Sequence, residues 1–279
     1  MEVTSEMVKQ LRDKTGAGMM DCKKALTESN GDMEKAIDIL RKKGAATAAK
    51  RADKAANEGI VVARVSEDGK RGIMVEINCE TDFVARGEDF VAFAQSVAEI
   101  IFTKKPADVA ALLSLPHPNG KNVADALSDL MAKIGERTEI KRFSAIDAAN
   151  GFIESYTHMG SKIAVMVELA AEFTPAHKTL ARDIAMQVAA MSPIVVSRDK
   201  VAKELIEKEI EIYRQQAKNE GKPDQIAEKI ANGRLEKYYQ EVVLLEQSFI
   251  KDAGKTVKDL LSPDVSVKQF LRYHLGEIQ

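Results

Sequence analysis

Apolar residues recur at helical spacing through the first 44 positions. Val8 and Leu11 mark one short helix, broken by Thr15-Gly16-Ala17-Gly18, and Met19, Cys22 and Leu26 mark a second from about Met19 to Glu28. Asn30-Gly31-Asp32 stops the second helix and offers Asp32 as the next N-cap. Met33, Ile37 and Leu40 mark a third helix, which Gly44 is expected to close. Three helices of this length form a small bundle with too little core to be very stable alone. From Ala45 to Ala56 the chain turns to alanine and base. Arg41 to Lys54 holds six basic residues against one acidic, and the segment reads as a helical linker.

At Gly59 the period changes from helix to strand. Ile60, Val61, Val62 and Val65 precede Glu67-Asp68-Gly69-Lys70, a hairpin turn, and Arg71 to Cys79 reads as the returning strand. A helix with Phe90, Phe93, Ala94, Val97 and Ile101 on one face follows. The second half repeats this order. A strand at 151–156, a turn at His158-Met159-Gly160-Ser161-Lys162 and a strand at Ile163–Leu169 precede a helix with Leu180, Ile184, Ala185 and Val188 on one face. Met74-Val75-Glu76-Ile77 and Met166-Val167-Glu168-Leu169 coincide at an offset of 92, and Phe93-Ala94 meets Ile184-Ala185 at 91. One strand–turn–strand–helix unit is used twice, which predicts an α+β core of two related subdomains. Between the units lie a loop at 114–122 and a helix from Val123 to about Ile134.

Residues 196–236 break the repeat. They carry nine basic and nine acidic residues around a thin seam of Ile206, Ile210, Tyr213 and Ala217, with a turn at Gly221-Lys222-Pro223-Asp224. This pattern predicts a projecting antiparallel helical hairpin. Leu260, Leu261, Val265, Val267 and Phe270-Leu271 then return the chain to the second subdomain, so the hairpin reads as an insertion. The expected divisions are 1–56 for bundle and linker, 57–149 for the first subdomain, and 150–196 with 237–279 for the second. The hairpin occupies 197–236.

Composition narrows the function classes. The 279 residues include 41 Lys+Arg and 43 Asp+Glu, a net charge of −2, which argues against a protein built to coat nucleic acid. Two cysteines and four scattered histidines supply neither a disulfide framework nor metal-ligand spacing. With no basic–apolar leader at Met1-Glu2-Val3-Thr4 and no long apolar run, a cytoplasmic protein is expected. No phosphate-cradling glycine loop, nucleophile elbow or HExxH motif appears, so catalysis is not expected.

Two segments are unusual. In Thr15-Gly16-Ala17-Gly18-Met19-Met20-Asp21-Cys22-Lys23-Lys24-Ala25-Leu26, adjacent methionines point about 100° apart on a helix. They either fill the small core or form an adaptable protein-binding surface. In Glu76-Ile77-Asn78-Cys79-Glu80-Thr81-Asp82-Phe83-Val84-Ala85-Arg86, a strand ends and acids flank an aromatic. Either Thr81 or Asp82 caps a short helix with Phe83 tucked into the core, or a loop tip presents Phe83 outward with Asp82 beside it.

These two segments resemble the two signatures of bacterial elongation factor Ts, in the right order and separation. The similarity continues through Tyr156-x-His158-x-Gly160, Glu207-Lys208-Glu209, Gly221-Lys222-Pro223 and Ile226-Ala227-Glu228-Lys229, over essentially the whole chain. The resemblance implies an N-terminal three-helix bundle like a ubiquitin-associated domain, two related α+β subdomains with antiparallel sheets, and an inserted coiled-coil hairpin. It implies a guanine-nucleotide exchange factor that releases GDP from elongation factor Tu, with no cofactor and no nucleotide site of its own. Residues matching the family's partner contacts are Arg12, Met19, Met20 and Lys23 in the bundle, and Arg51 in the linker. The tip Thr81-Asp82-Phe83-Val84 would insert beside the partner's magnesium and phosphate site, with Phe83 as a wedge and Asp82 as a buried acid. Ile134, Gly135, His158 and, less directly, Ile250 match further contacts. The chain ends at Gly276-Glu277-Ile278-Gln279, where some members continue into a C-terminal helical module, and contacts of that module do not carry over. Neither membrane binding nor stable nucleic-acid binding is expected, and a homodimer of the free chain stays open. Two other classes remain at this point. One is an RNA-associated protein using the 41–54 cluster, and the other is an adaptor that binds proteins without altering nucleotide release.

Overall fold

The computed structural model describes residues 3–51, 53–119 and 121–277. Three helices open the chain: α1 (Ser5–Thr15), α2 (Met19–Glu28) and α3 (Met33–Lys50). Thr4 caps α1 by accepting the Met7 N–H at 3.2 Å, and Asp32 accepts the Lys35 N–H at 3.1 Å in front of α3. Val8, Leu11, Ala17, Cys22, Ala25, Leu26, Ala36 and Leu40 make the bundle's core.

Gly44 does not close α3, which runs on to Lys50 through the alanine-rich segment. The glycine is buried inside the helix because α7 (Val123–Ile134) crosses it closely. A Cβ added at Gly44 would lie 2.5 Å from the Ala132 Cβ. The residue serves packing between bundle and core, and Arg41 adds an ion pair to Asp125 at 3.2 Å across the same junction.

The first subdomain contains β1 (Glu58–Val65), β2 (Arg71–Cys79), α4 (Asp82–Ala85), α5 (Glu88–Lys104), α6 (Val109–Leu113), α7 and β3 (Thr138–Asp147). Its antiparallel sheet has the order β1-β2-β3, with α5 and α7 packed on one face around Ile73, Val75, Ile77, Phe90, Val97 and Ile101. The loop predicted at 114–122 holds a bridge between Pro116 and Asn122, while Gly120 lies outside the described residues. The second subdomain contains β4 (Phe152–Thr157), β5 (Ile163–Ala170) and α8 (Pro175–Met191). Helices α9 (Lys203–Asn219) and α10 (Asp224–Val242) follow, then β6 (Ser248–Phe249), β7 (Asp252–Thr256) and β8 (Ser266–His274). Strand β8 pairs with β5, so this sheet has the order β4-β5-β8.

The two sheets repeat each other in detail. The β2–β3 register shifts between Glu76 and Ile77, where β3 carries the extra residue Lys141, and the β5–β8 register shifts between Glu168 and Leu169, where β8 carries Lys268, at the offset of 92 seen in the sequence. Gly59 (φ 145°) and Gly151 (φ 120°) share that offset, and a Cβ on either would lie about 2 Å from a strand carbonyl, 2.1 Å from Ile77 O or 1.9 Å from Leu169 O. The sheets meet through Val61, Met74, Ile146, Ile153, Met166 and Tyr273.

The hairpin is longer at its C-terminal end than expected. Helix α10 continues to Val242, past the predicted boundary at 236, because Leu235, Tyr239 and Val243 pack with Val201 at its base. Toward the tip only alanines are buried between the helices, Ala217 against Ala227 and Ala231, and ion pairs such as Arg214–Glu228 at 2.8 Å cover them.

Candidate functional site

The conformation of the tip follows from its two ends. Strand β2 delivers Cys79 into the core, where burial pushes its thiol up to about 12 and the Sγ donates to Thr81 O at 3.1 Å. A thiol so placed is structural rather than nucleophilic. Thr81 then takes an extended conformation and its Oγ accepts the Val84 N–H at 3.4 Å, capping the single turn α4. Ala85 is buried and Val84 packs against the core, which turns Phe83 outward. Its ring is 86% exposed, so the reading that tucked it into the core is wrong.

Asp82 is not the buried acid expected beside it. The carboxylate is half-exposed and pairs with Arg86 one turn on. Glu80 is the acid held by its neighbours: it accepts the Arg137 N–H at 2.6 Å and hydrogen bonds from the Arg51 guanidinium at 2.6 and 2.8 Å. The Arg137 N–H, and secondarily Arg51, hold its carboxyl below the ordinary glutamate range. Arg51 therefore braces the tip from within the chain.

Around this tip the fold gathers other predicted residues. Helix α7 ends at Ile134, which is partly buried, and Gly135, whose left-handed backbone (φ 75°) stops the helix. The next residue, Glu136, accepts both the N–H of Thr81 at 3.0 Å and its hydroxyl at 2.8 Å. In the bundle, Met19 and Met20 occupy the first turn of α2 and are 51% and 74% exposed. They are not core residues; Cys22, Ala25 and Leu26 take that face. Arg12 and Lys23 are exposed. The Gly16 loop approaches Lys133 of α7, and a cleft of about 710 Å³ lies between bundle and core, lined in part by Thr15, Ala17, Lys133 and Gly135.

His158 stands apart, exposed on the β4–β5 turn, with its Nδ1 2.9 Å from the Tyr156 hydroxyl. The Val61 N–H donates to Ser161 O at 2.7 Å and ties this turn to β1. A groove of about 280 Å³ separates the turn from Ala85 and Arg86 behind the tip. Ile250 lies elsewhere, on the β6–β7 turn, where its N–H donates to the buried Gln187 at 2.8 Å and its side chain is 43% exposed.

Part of the basic charge of the 41–54 segment is taken up by ion pairs within the chain. Three of the six, Arg41, Lys43 and Arg51, are paired with Asp125, Asp21 and Glu80. Among the described residues no group of His, Cys, Asp and Glu could hold a metal ion, and no helix is long and apolar enough to cross a membrane.

Comparison with known proteins places this geometry. The family model described as elongation factor TS matches residues 80–277. Elongation factor Ts of Chloroherpeton thalassium is 49% identical over 286 residues, covering 99% of both chains. That of Prosthecochloris aestuarii is 52% identical over 285 residues, again 99% of both. That of Clostridium perfringens is 49% identical over 284 residues, 99% of this chain and 93% of the relative. The chain belongs to the elongation factor Ts family. It is thus a translation elongation factor with the mixed helix-and-sheet fold that the sequence predicted.

Sequence reasoning missed residues that the fold brings to these surfaces. Met159, beside His158, is 90% exposed, yet only the histidine stood out in the sequence. Glu136 was passed over because nothing local marks it: its partner Thr81 is 55 residues away and is reached only when β2 and β3 pair.

Proposed function

We propose that this member of the elongation factor Ts family binds elongation factor Tu in the cytoplasm and promotes GDP release, carrying out no bond chemistry of its own. A GTPase holds its nucleotide largely through magnesium and donors around the phosphates. A protein that binds the nucleotide-free conformation better than the GDP-bound one releases GDP by differential affinity alone. The tip 81–84 would enter beside the magnesium and phosphate site, with Phe83 occupying space that the ordered site needs. Asp82, paired with Arg86 in the free chain, would have to exchange that partner to act on phosphate or magnesium.

The observation that carries this reading is the exposure of Phe83 on a capped turn. A phenyl ring 86% in water does nothing for its own fold. The bundle, residues 1–56, would supply Arg12, Met19, Met20 and Lys23 as a second contact. His158 and Ile250 on the second subdomain, together with the inserted hairpin, would face other parts of the partner. Arg51, which pairs with Glu80 in the free chain, and Ile134 and Gly135 at the end of α7 would add further contacts to the partner. The test is release of fluorescent GDP from elongation factor Tu with and without the chain. The wild-type chain should accelerate release, and Phe83→Ala should lower the rate even at saturating concentration. A folded Phe83→Ala that reached the wild-type maximal rate would overturn the wedge.

A further inference from the structure

Strands β2 and β3 pair as far as Cys79 and Thr138, and there the regular ladder ends. Two carboxylates extend it. The Arg137 N–H donates to the Glu80 Oε1 at 2.6 Å, and on the next step the Thr81 N–H donates to the Glu136 Oε2 at 3.0 Å. Each chain thus offers a backbone N–H to an acid of the other, a reciprocal clasp that carries the pairing two residues beyond the sheet. Glu136 also accepts a hydrogen bond from the Thr81 hydroxyl at 2.8 Å. That fixes the hydroxyl's rotation and leaves a lone pair for the Val84 N–H, the bond that caps α4. A four-residue helix has almost no stability of its own, so its two ends decide whether it exists. Ala85 and Val84 anchor one end in the core. The other end has the cap.

We propose that Glu136 is a positioning residue for the tip: through Thr81 it keeps α4 formed and Phe83 aimed outward, without itself being a contact for the partner. The proposal rests on the nucleotide-exchange reading for its consequence, but the clasp can be tested without any partner. In the full-length free chain, Glu136→Ala should speed amide hydrogen exchange at Thr81 and Val84 by about tenfold or more, while the amides of β2 keep their protection. In nucleotide exchange, Glu136→Ala should lower the maximal rate of fluorescent GDP release by about tenfold, as a misplaced group does, with a similar half-saturating concentration. Glu136→Gln, which keeps an acceptor for the N–H, should recover most of both effects. The loss should also be non-additive with Thr81→Ala, since the two act as one unit.

Unchanged protection at Thr81 and Val84 in a folded Glu136→Ala would overturn the clasp. Losses that simply add with Thr81→Ala would overturn the positioning role and make Glu136 a contact in its own right. If the wild-type chain released no GDP, the exchange reading would fall, and the amide measurement would still decide the clasp.

Discussion

The two subdomains are the same three-stranded scaffold put to different uses. Both have a glycine that no side chain could replace, Gly59 and Gly151, and both face a bulge of the neighbouring strand just after a buried glutamate, Glu76 and Glu168. They diverge where the central strand ends. After β2 the chain makes the capped turn α4 and leaves Phe83 in water. After β5 it passes through Phe173, whose ring packs on Phe152 at 5.0 Å between centroids, and Thr174 caps α8. The glutamates diverge too. Glu76 is fully buried and bonds Arg142 at 2.7 Å and the Gly276 N–H at 3.0 Å, fastening the end of the chain to the first sheet. Glu168 accepts the neutral Gln269 amide at 2.7 Å. A duplicated sheet conserves what its backbone requires and leaves strand ends free for function.

The sharpest way to break this comparison is at the glycines. Gly59→Ala and Gly151→Ala should each cost about 3–5 kcal/mol, combining left-handed strain with a clash against a strand carbonyl. Chemical denaturation would show whether the two positions are as equivalent as their geometry. The glutamate partners should behave unequally. Arg142→Met leaves a buried charge unpaired and should cost about 3 kcal/mol, whereas Gln269→Met should cost about 1 kcal/mol.

The aromatics should separate stability from function. Phe173→Ala should cost about 1–2 kcal/mol through lost ring packing while GDP release is untouched. Phe83→Ala should change stability by less than about 0.5 kcal/mol while stimulated release falls. In the bundle, changing Met19 and Met20 together to Ala should weaken the complex by about 1–3 kcal/mol with little shift in melting temperature, read by titration and by thermal unfolding.

The smallest effect concerns pH. The Glu80 carboxyl is held below its unfolded value, chiefly by the Arg137 N–H and then by Arg51. Its stabilisation is therefore complete above the ordinary glutamate range and is lost as pH falls below it. Acidification below the ordinary glutamate range should speed amide exchange at Arg137, and Glu80→Gln should flatten that dependence.

Much of this molecule was legible because its signals are local. Helix α2 and helix α7 fall where apolar spacing and their flanking residues put them, and the offset of 92 located both central strands. Strand β3 escaped notice because its partly exposed residues, Lys141, Arg142 and Ser144 among them, blur the alternation that marks a strand. Gly44 looked like a helix stop because glycine commonly ends helices. Its real role depends on Ala132, a residue of another element.

The sequence alone determined the repeat, the bundle, the hairpin and the family, since these rest on periodicity, turn chemistry and long motifs within single segments. The direction of Phe83, the pairing of Asp82 with Arg86, and the joining of Arg51, Thr81 and Glu136 around one turn were decided only by the tertiary structure. A four-residue helix has too few positions to show which face is buried, and carboxylates find backbone donors on distant segments only after the sheet has set its register.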